Sequence, residues 1–132
     1  ISQNLFNRAA NPSTIKQILN QAYPSGNNVD DELIKILYEP SQRDGSAEAF
    51  RGFINLFDDY LATDLFKKIK TDIHLIWGEK DPWESLEEAK QWLNDYKEIK
   101  SLNVIKNAGH CPHDENPEET NKLILKIIQE TK

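Results

Sequence analysis

Two short apolar, β-prone runs joined by one helical pattern constrain this chain more than any other feature. Ile73, His74, Leu75, Ile76 and Trp77 make the first run, closed by Gly78. Leu102, Asn103, Val104, Ile105 and Lys106 make the second, closed by Ala108 and Gly109. Short apolar runs bounded by turn residues read as buried strands. Between them, Leu86, Ala89, Trp92 and Leu93 recur at helical spacing within Ser85 to Tyr96. A strand–helix–strand unit with a 23-residue connection (79–101) pairs its strands in parallel through a right-handed crossover. Both strands then end at one edge of the sheet, where open parallel sheets place their binding sites.

The flanking segments read as helices. Asn11, Pro12 and Ser13 open one with Ile15, Ile18, Leu19 and Ala22 as its apolar stripe. A turn cluster, Pro24 to Asn28, separates it from a second helix that starts on the acidic Asp30, Asp31 and Glu32, where the macrodipole favours negative charge. That helix carries Leu33, Ile34, Ile36 and Leu37 and is expected to end at Pro40. A third is expected from Ser46 to about Leu61, with Phe50, Phe53, Ile54 and Phe57 on one face, and Asp64 is expected to cap a short turn before Ile69. Pro117, Glu118 and Glu119 start a last helix through Leu123, Ile124, Ile127 and Ile128. The first half is thus three helices, and the second is β-α-β-α.

Composition narrows the class. With 132 residues, 38% hydrophobic and 29% charged, the chain suits one globular domain or part of a larger one. A net charge of −6 argues against a basic nucleic-acid footprint, and no apolar run approaches the roughly 18 residues of a membrane span. The single cysteine, Cys111, excludes a disulfide framework or Cys-rich zinc site and demands no oxidising compartment. The chain has no methionine and opens at Ile1, so an N-terminal part is expected to lie upstream. Ile1 to Asn4 lacks the features of a signal peptide, and any targeting signal is expected in that upstream part.

Chemistry concentrates just past the two strands. Asp81 follows the first, in Gly78–Glu79–Lys80–Asp81–Pro82–Trp83, and His110 follows the second, in Gly109–His110–Cys111–Pro112–His113–Asp114–Glu115. A carboxylate beside an imidazole fixes its tautomer and stabilises the imidazolium formed when the ring accepts a proton. Histidine suits that task because its ordinary pKa of about 6.5 lies near working pH. The blander alternatives are a turn aspartate in Asp–Pro for Asp81 and a helix-capping loop residue for His110. Their pairing at two matched strand ends favours the catalytic reading. His113 reads as structural, His74 as a satisfied buried histidine and Cys111 as a small packing residue. The close spacing of His110, His113, Asp114 and Glu115 disfavours a metal site. Trp77 and Trp92 read as core, while Trp83, beside Asp81, is a candidate substrate contact. No Gly-x-Ser-x-Gly occurs anywhere in the chain.

The stretches Leu75 to Trp83 and Gly109 to Glu118 closely resemble the last third of α/β-hydrolase-fold enzymes. In that family the acid follows one late strand and the histidine follows the last, in chain order Ser, Asp, His. The resemblance places Asp81 at the acid position and His110 at the histidine position. It implies a partial α/β-hydrolase fold: a helical cap over residues 1–62, then the C-terminal part of the core over 63–132. Asp30 to Leu33 through Phe50 and Phe53 is similar to the cap of pheophytinase-like plastid hydrolases, which remove ester-linked chains. Phe50 and Phe53 then become candidate pocket residues. The implied activity is hydrolysis of a small-molecule ester or lipid-like substrate without a cofactor or metal. The implied serine lies upstream, so this chain alone is expected to be inactive. An aspartate nucleophile, acting on halides or epoxides, belongs to the same family. A non-catalytic binding or scaffolding member is the alternative of a different class. Two strands are a marginal sheet, and the chain by itself is expected to persist through self-association, strand exchange or pairing with its N-terminal half.

Overall fold

The computed structural model describes residues 3–56 and 61–131. It divides into two compact units, a helical one of Ile1–Leu19 with Val29–Lys68 and a sheet-bearing one of Asn20–Asn28 with Ile69–Lys132.

The helical unit holds α1 (Gln3–Ala9), most of α2 (Pro12–Ala22), α3 (Asp31–Ser41), α4 (Ser46–Asn55) and α5 (Ala62–Phe66). Three of these match the expected helices; α1 is additional. It is held by side chains that periodicity does not reveal. Nε2 of Gln3 donates to Ser46 Oγ at 2.7 Å, Oε1 of Gln3 accepts from the Ala47 N–H at 3.3 Å, and Phe6 packs on Phe50 with ring centroids 5.3 Å apart. Asp30 caps α3 by accepting the Leu33 N–H at 2.8 Å. Pro40 was expected to end this helix, yet α3 runs to Ser41. A proline near a helix end forgoes a single hydrogen bond and its fixed φ is helical. The final turn then closes with i→i−3 bonds from Gln42 to Glu39 and from Arg43 to Pro40. Helix α4 ends at Asn55, short of the expected Leu61; Phe57, expected on its apolar face, lies outside the described residues. Asp64 lies in the first turn of α5 and does not cap it; Leu61 holds the cap position.

In the sheet unit, β1 (Ile73–Gly78) and β2 (Ile99–Ile105) pair in parallel, with Leu75 opposite Leu102 and Gly78 opposite Ile105. Strand β2 begins earlier than its apolar run. Ile99 is buried opposite Ile73, and Ser101 Oγ meets Nδ1 of His74 at 2.9 Å, so polar residues continue the ladder. The other ring nitrogen of His74, Nε2, is buried with no hydrogen-bond partner among the described residues, so the expected fully satisfied histidine is satisfied on one side. Helix α6 (Leu86–Asp95), capped by Ser85, supplies the crossover and lays the fully buried Ala89 on the strands; Trp92 meets Trp77 edge-on at 5.9 Å. A four-residue α7 (Pro112–Glu115) precedes α8 (Pro117–Glu130), whose N-cap Asn116 accepts from the Glu119 N–H. Four residues are too few to show a period, which is why α7 has no signature in the apolar pattern. Among the described residues, no helix is long and apolar enough to cross a membrane.

Candidate active site

Parallel pairing carries both strand ends to one edge, and the ladder continues into the loops beyond them. The Glu79 N–H donates to Ile105 O at 3.0 Å and the Lys80 N–H to Ala108 O at 2.8 Å. Asn107 turns the chain after β2 with a left-handed φ of 60°, and its N–H donates to Oε2 of Glu79 at 3.1 Å. Asparagine is among the residues that tolerate this region. The two loops press together at glycines. A Cβ on Gly78 would overlap the carbonyl oxygens of Gly109 and Ala108, and one on Gly109 would overlap Ala22 O and Pro24 Cδ.

This close approach brings Asp81 to His110. Nδ1 of His110 lies 3.0 Å from Oδ2 and 3.2 Å from Oδ1 of Asp81. An ionised carboxylate only accepts, so Nδ1 carries the proton and Nε2 is left as the acceptor in the neutral ring. The Asp81 side chain is 7% exposed and that of His110 38% exposed, so the acid is shielded while the imidazole reaches solvent. Oδ1 of Asp81 also accepts the N–H groups of Trp83 at 2.9 Å and Glu84 at 3.0 Å. Burial works to raise the Asp81 pKa, but these backbone donors together with His110 outweigh it and hold the carboxyl below its ordinary value. Trp83 stands edge-on to the His110 ring, centroids 4.8 Å apart, and is itself half exposed.

Asp81, His110 and Trp83 thus form one cluster. Phe50 and Phe53 belong to the helical unit. There Phe50 lines an apolar cavity of about 410 Å³ with Leu5, Phe6, Ile15 and Ile18, and Phe53 is 58% exposed. The apolar pattern gave no sign of Glu115, which is 2% exposed and accepts from both Ser25 and Gly109. The signal was present in the polar turn Ser25 to Asn28, whose donors need an acceptor somewhere. Asn27 and Asn28 also donate, to the carbonyls of Glu115 and Asp114, and the Tyr23 hydroxyl donates to Oδ2 of Asp114 at 2.9 Å.

Comparison with solved structures identifies the architecture. The chain superposes on a serine hydrolase involved in carbazole degradation with a TM-score of 0.79 at 15% identity, covering 91% of this chain and 48% of that one. A membrane phospholipase A matches with a TM-score of 0.74 at 21% identity (92% and 39% covered), and a meta-cleavage product hydrolase with 0.72 at 20% (91% and 46% covered). The fold is part of an α/β-hydrolase fold. Among proteins of known function, the chain is similar to a chloroplastic pheophytinase of Arabidopsis thaliana, 29% identical over 130 residues. That match covers 94% of this chain and 26% of the pheophytinase, so the chain spans about a quarter of that relative's length. No protein-family model matches the chain.

Proposed function

We propose that this chain is the C-terminal part of a serine hydrolase of the α/β fold that cleaves carboxylic esters. Asp81 is the orienting acid and His110 the base, and a serine elsewhere in the complete protein is the nucleophile. One observation carries the reading: Nδ1 of His110 lies within 3.0–3.2 Å of both Asp81 oxygens at the ends of adjacent parallel strands. The similarity to a pheophytinase and the shared fold with hydrolases support it.

In this mechanism the serine oxygen attacks the ester carbonyl carbon while its proton passes to Nε2 of His110. The Asp81 carboxylate, already accepting Nδ1–H, stabilises the imidazolium. His110 then returns the proton to the departing alcohol, leaving an acyl-enzyme. Water attacks that ester with His110 again taking the proton, and the acid product leaves as the serine is restored. The helical segment within residues 1–62 has the cap role in this account; Phe50 and Phe53 are its candidate contacts for an alkyl or acyl chain, and Trp83, in the other unit, is a candidate substrate contact beside the imidazole. The substrate is a small-molecule ester or a lipid-like one, and no cofactor takes part. The remainder of the sheet in the complete protein covers the free edge of β1; without it the chain self-associates.

Ester turnover by the complete protein, with Asp81→Asn and His110→Ala, tests the assignment. Loss of about 10⁴-fold in kcat is expected for Asp81→Asn and about 10⁶-fold for His110→Ala, the scales found when these triad members are removed. Wild-type rates in both variants would remove it.

A further inference from the structure

We propose that Glu115 is a positioning residue for His110, acting through the Gly109 amide and the segment 22–28. Its kinetic consequence rests on the hydrolytic reading above; its structural consequence rests on geometry alone. Glu115 is 2% exposed, and a buried carboxylate is costly unless donors meet it. They come from two directions. Oε2 accepts the N–H of Gly109, the residue directly before His110, while Oε1 accepts the Ser25 N–H at 2.8 Å and the Ser25 hydroxyl. The N–H of His110 donates in turn to Ala22 O at 2.8 Å.

The backbone amides of Gly109 and His110 are therefore both tied, one to Glu115 and one to the 22–28 segment that Glu115 also grips. Gly109 has no space to shift toward that segment, because Ala22 O and Pro24 Cδ already fill the place of a Cβ. These amides fix the direction in which His110 leaves the backbone, and hence its distance to Asp81. A displacement on the order of 1 Å at a reacting group is enough to cost about 10²-fold in rate. Glutamine at 115 keeps the shape but replaces one acceptor with an N–H₂, which faces the N–H of either Gly109 or Ser25. Geometry at His110 then suffers while the packing is retained.

The test uses the complete protein with ¹⁵N-labelled histidine, reading the His110 ring tautomer and its Nδ1–H signal alongside ester kinetics. The wild type is expected to show the Nδ1–H tautomer held by Asp81. Glu115→Gln is expected to mix the tautomers, broaden the Nδ1–H signal and lower kcat roughly 10–100-fold with KM within about twofold. Asn103→Ala removes the side-chain bonds to Leu75 O and Ser101 Oγ and leaves every Glu115 bond in place, so stability falls while both readouts stay at wild-type values. A folded Glu115→Gln protein with unchanged tautomer and kcat overturns the proposal, as do equal changes in Glu115→Gln and Asn103→Ala. Should Glu115→Gln fail to fold, Ser25→Ala removes the hydroxyl that donates to Glu115 and accepts from the Asn27 N–H, and leaves the Ser25 N–H on Glu115. A smaller shift of the same sign supports the proposal and no shift overturns it. Failure of the hydrolytic reading shows separately, as absent ester turnover in the wild type, while the ring signals still decide the role of Glu115.

Discussion

The strand ends of the sheet unit and the outer helix faces treat apolar surface differently; α8 of the sheet unit, with Leu125 58% and Ile128 49% exposed, falls on the second side. In the first, Ala89 and Ile105 are fully buried and Ala108 is 1% exposed, beneath strand ends in glycine-to-backbone contact. In the second, Leu5, Ile36 and Phe53 are each 58% exposed, and Leu37, Phe50 and Ile54 remain more than two-fifths exposed. The contrast teaches where precision resides. Asp81 and His110 emerge from backbone held by glycine contacts and a buried carboxylate, whereas the helices present aromatic and aliphatic side chains suited to contact with something else. A reacting pair needs the first kind of support.

The contrast can be broken in several ways. The largest expected effect is association: light scattering on the isolated chain should give a mass above the 15.3 kDa of one copy, driven by the exposed helical faces and the free edge of β1. A monodisperse monomer would remove the distinction. Next, Ile105→Ala should cost about 4 kcal/mol in denaturant unfolding, because a fully buried isoleucine leaves a cavity. Gly78→Ala should cost about 3 kcal/mol, since its methyl meets backbone oxygens that cannot turn aside. Trp77, Trp83 and Trp92 all lie in the sheet unit, so their fluorescence reports these losses there.

A smaller effect is acid sensitivity. The folded pKa of Asp81 is held below its ordinary value. Its contribution to stability is therefore complete above the unfolded value of about 3.9 and is lost as pH falls through the lower folded pKa. Asp81→Asn should flatten the stability profile in that acid window and lower stability near neutrality, where the wild-type contribution is complete. The smallest change is expected of Ile36→Ser on the helical unit, below about 0.5 kcal/mol, with association weakened. A cost like that of Ile105→Ala would show that Ile36 is covered after all.

Much of this was legible from side-chain period and punctuation. The two strands, their parallel pairing, α6 behind Ser85 and α8 behind Pro117 follow from apolar spacing and capping residues. The Asp81–His110 juxtaposition followed from topology, because parallel strands must end at the same edge. What escaped reading depends on partners distant in sequence. Helix α1 is fastened through Gln3 to Ser46 and Ala47. Strand β2 starts at Ile99 because Ser101 finds His74 across the ladder. Glu115 looked like one more charge in an acidic run, and its role exists only because Ser25, 90 positions away, folds against it. Pro40 stands one residue inside the end of α3: it gives up its own i→i−4 bond, its fixed φ still fits the helix, and the helix stops at the next residue.

The central claim is that Asp81 makes His110 a base for a nucleophilic serine. The rate at which a fluorophosphonate covalently labels the complete protein tests it most directly, since that reaction needs the serine and its base but no knowledge of the substrate. Stoichiometric labelling, slowed at least about 10³-fold by His110→Ala, is the expected result. Equal labelling rates with and without the imidazole, or no labelling of the wild type, would contradict it.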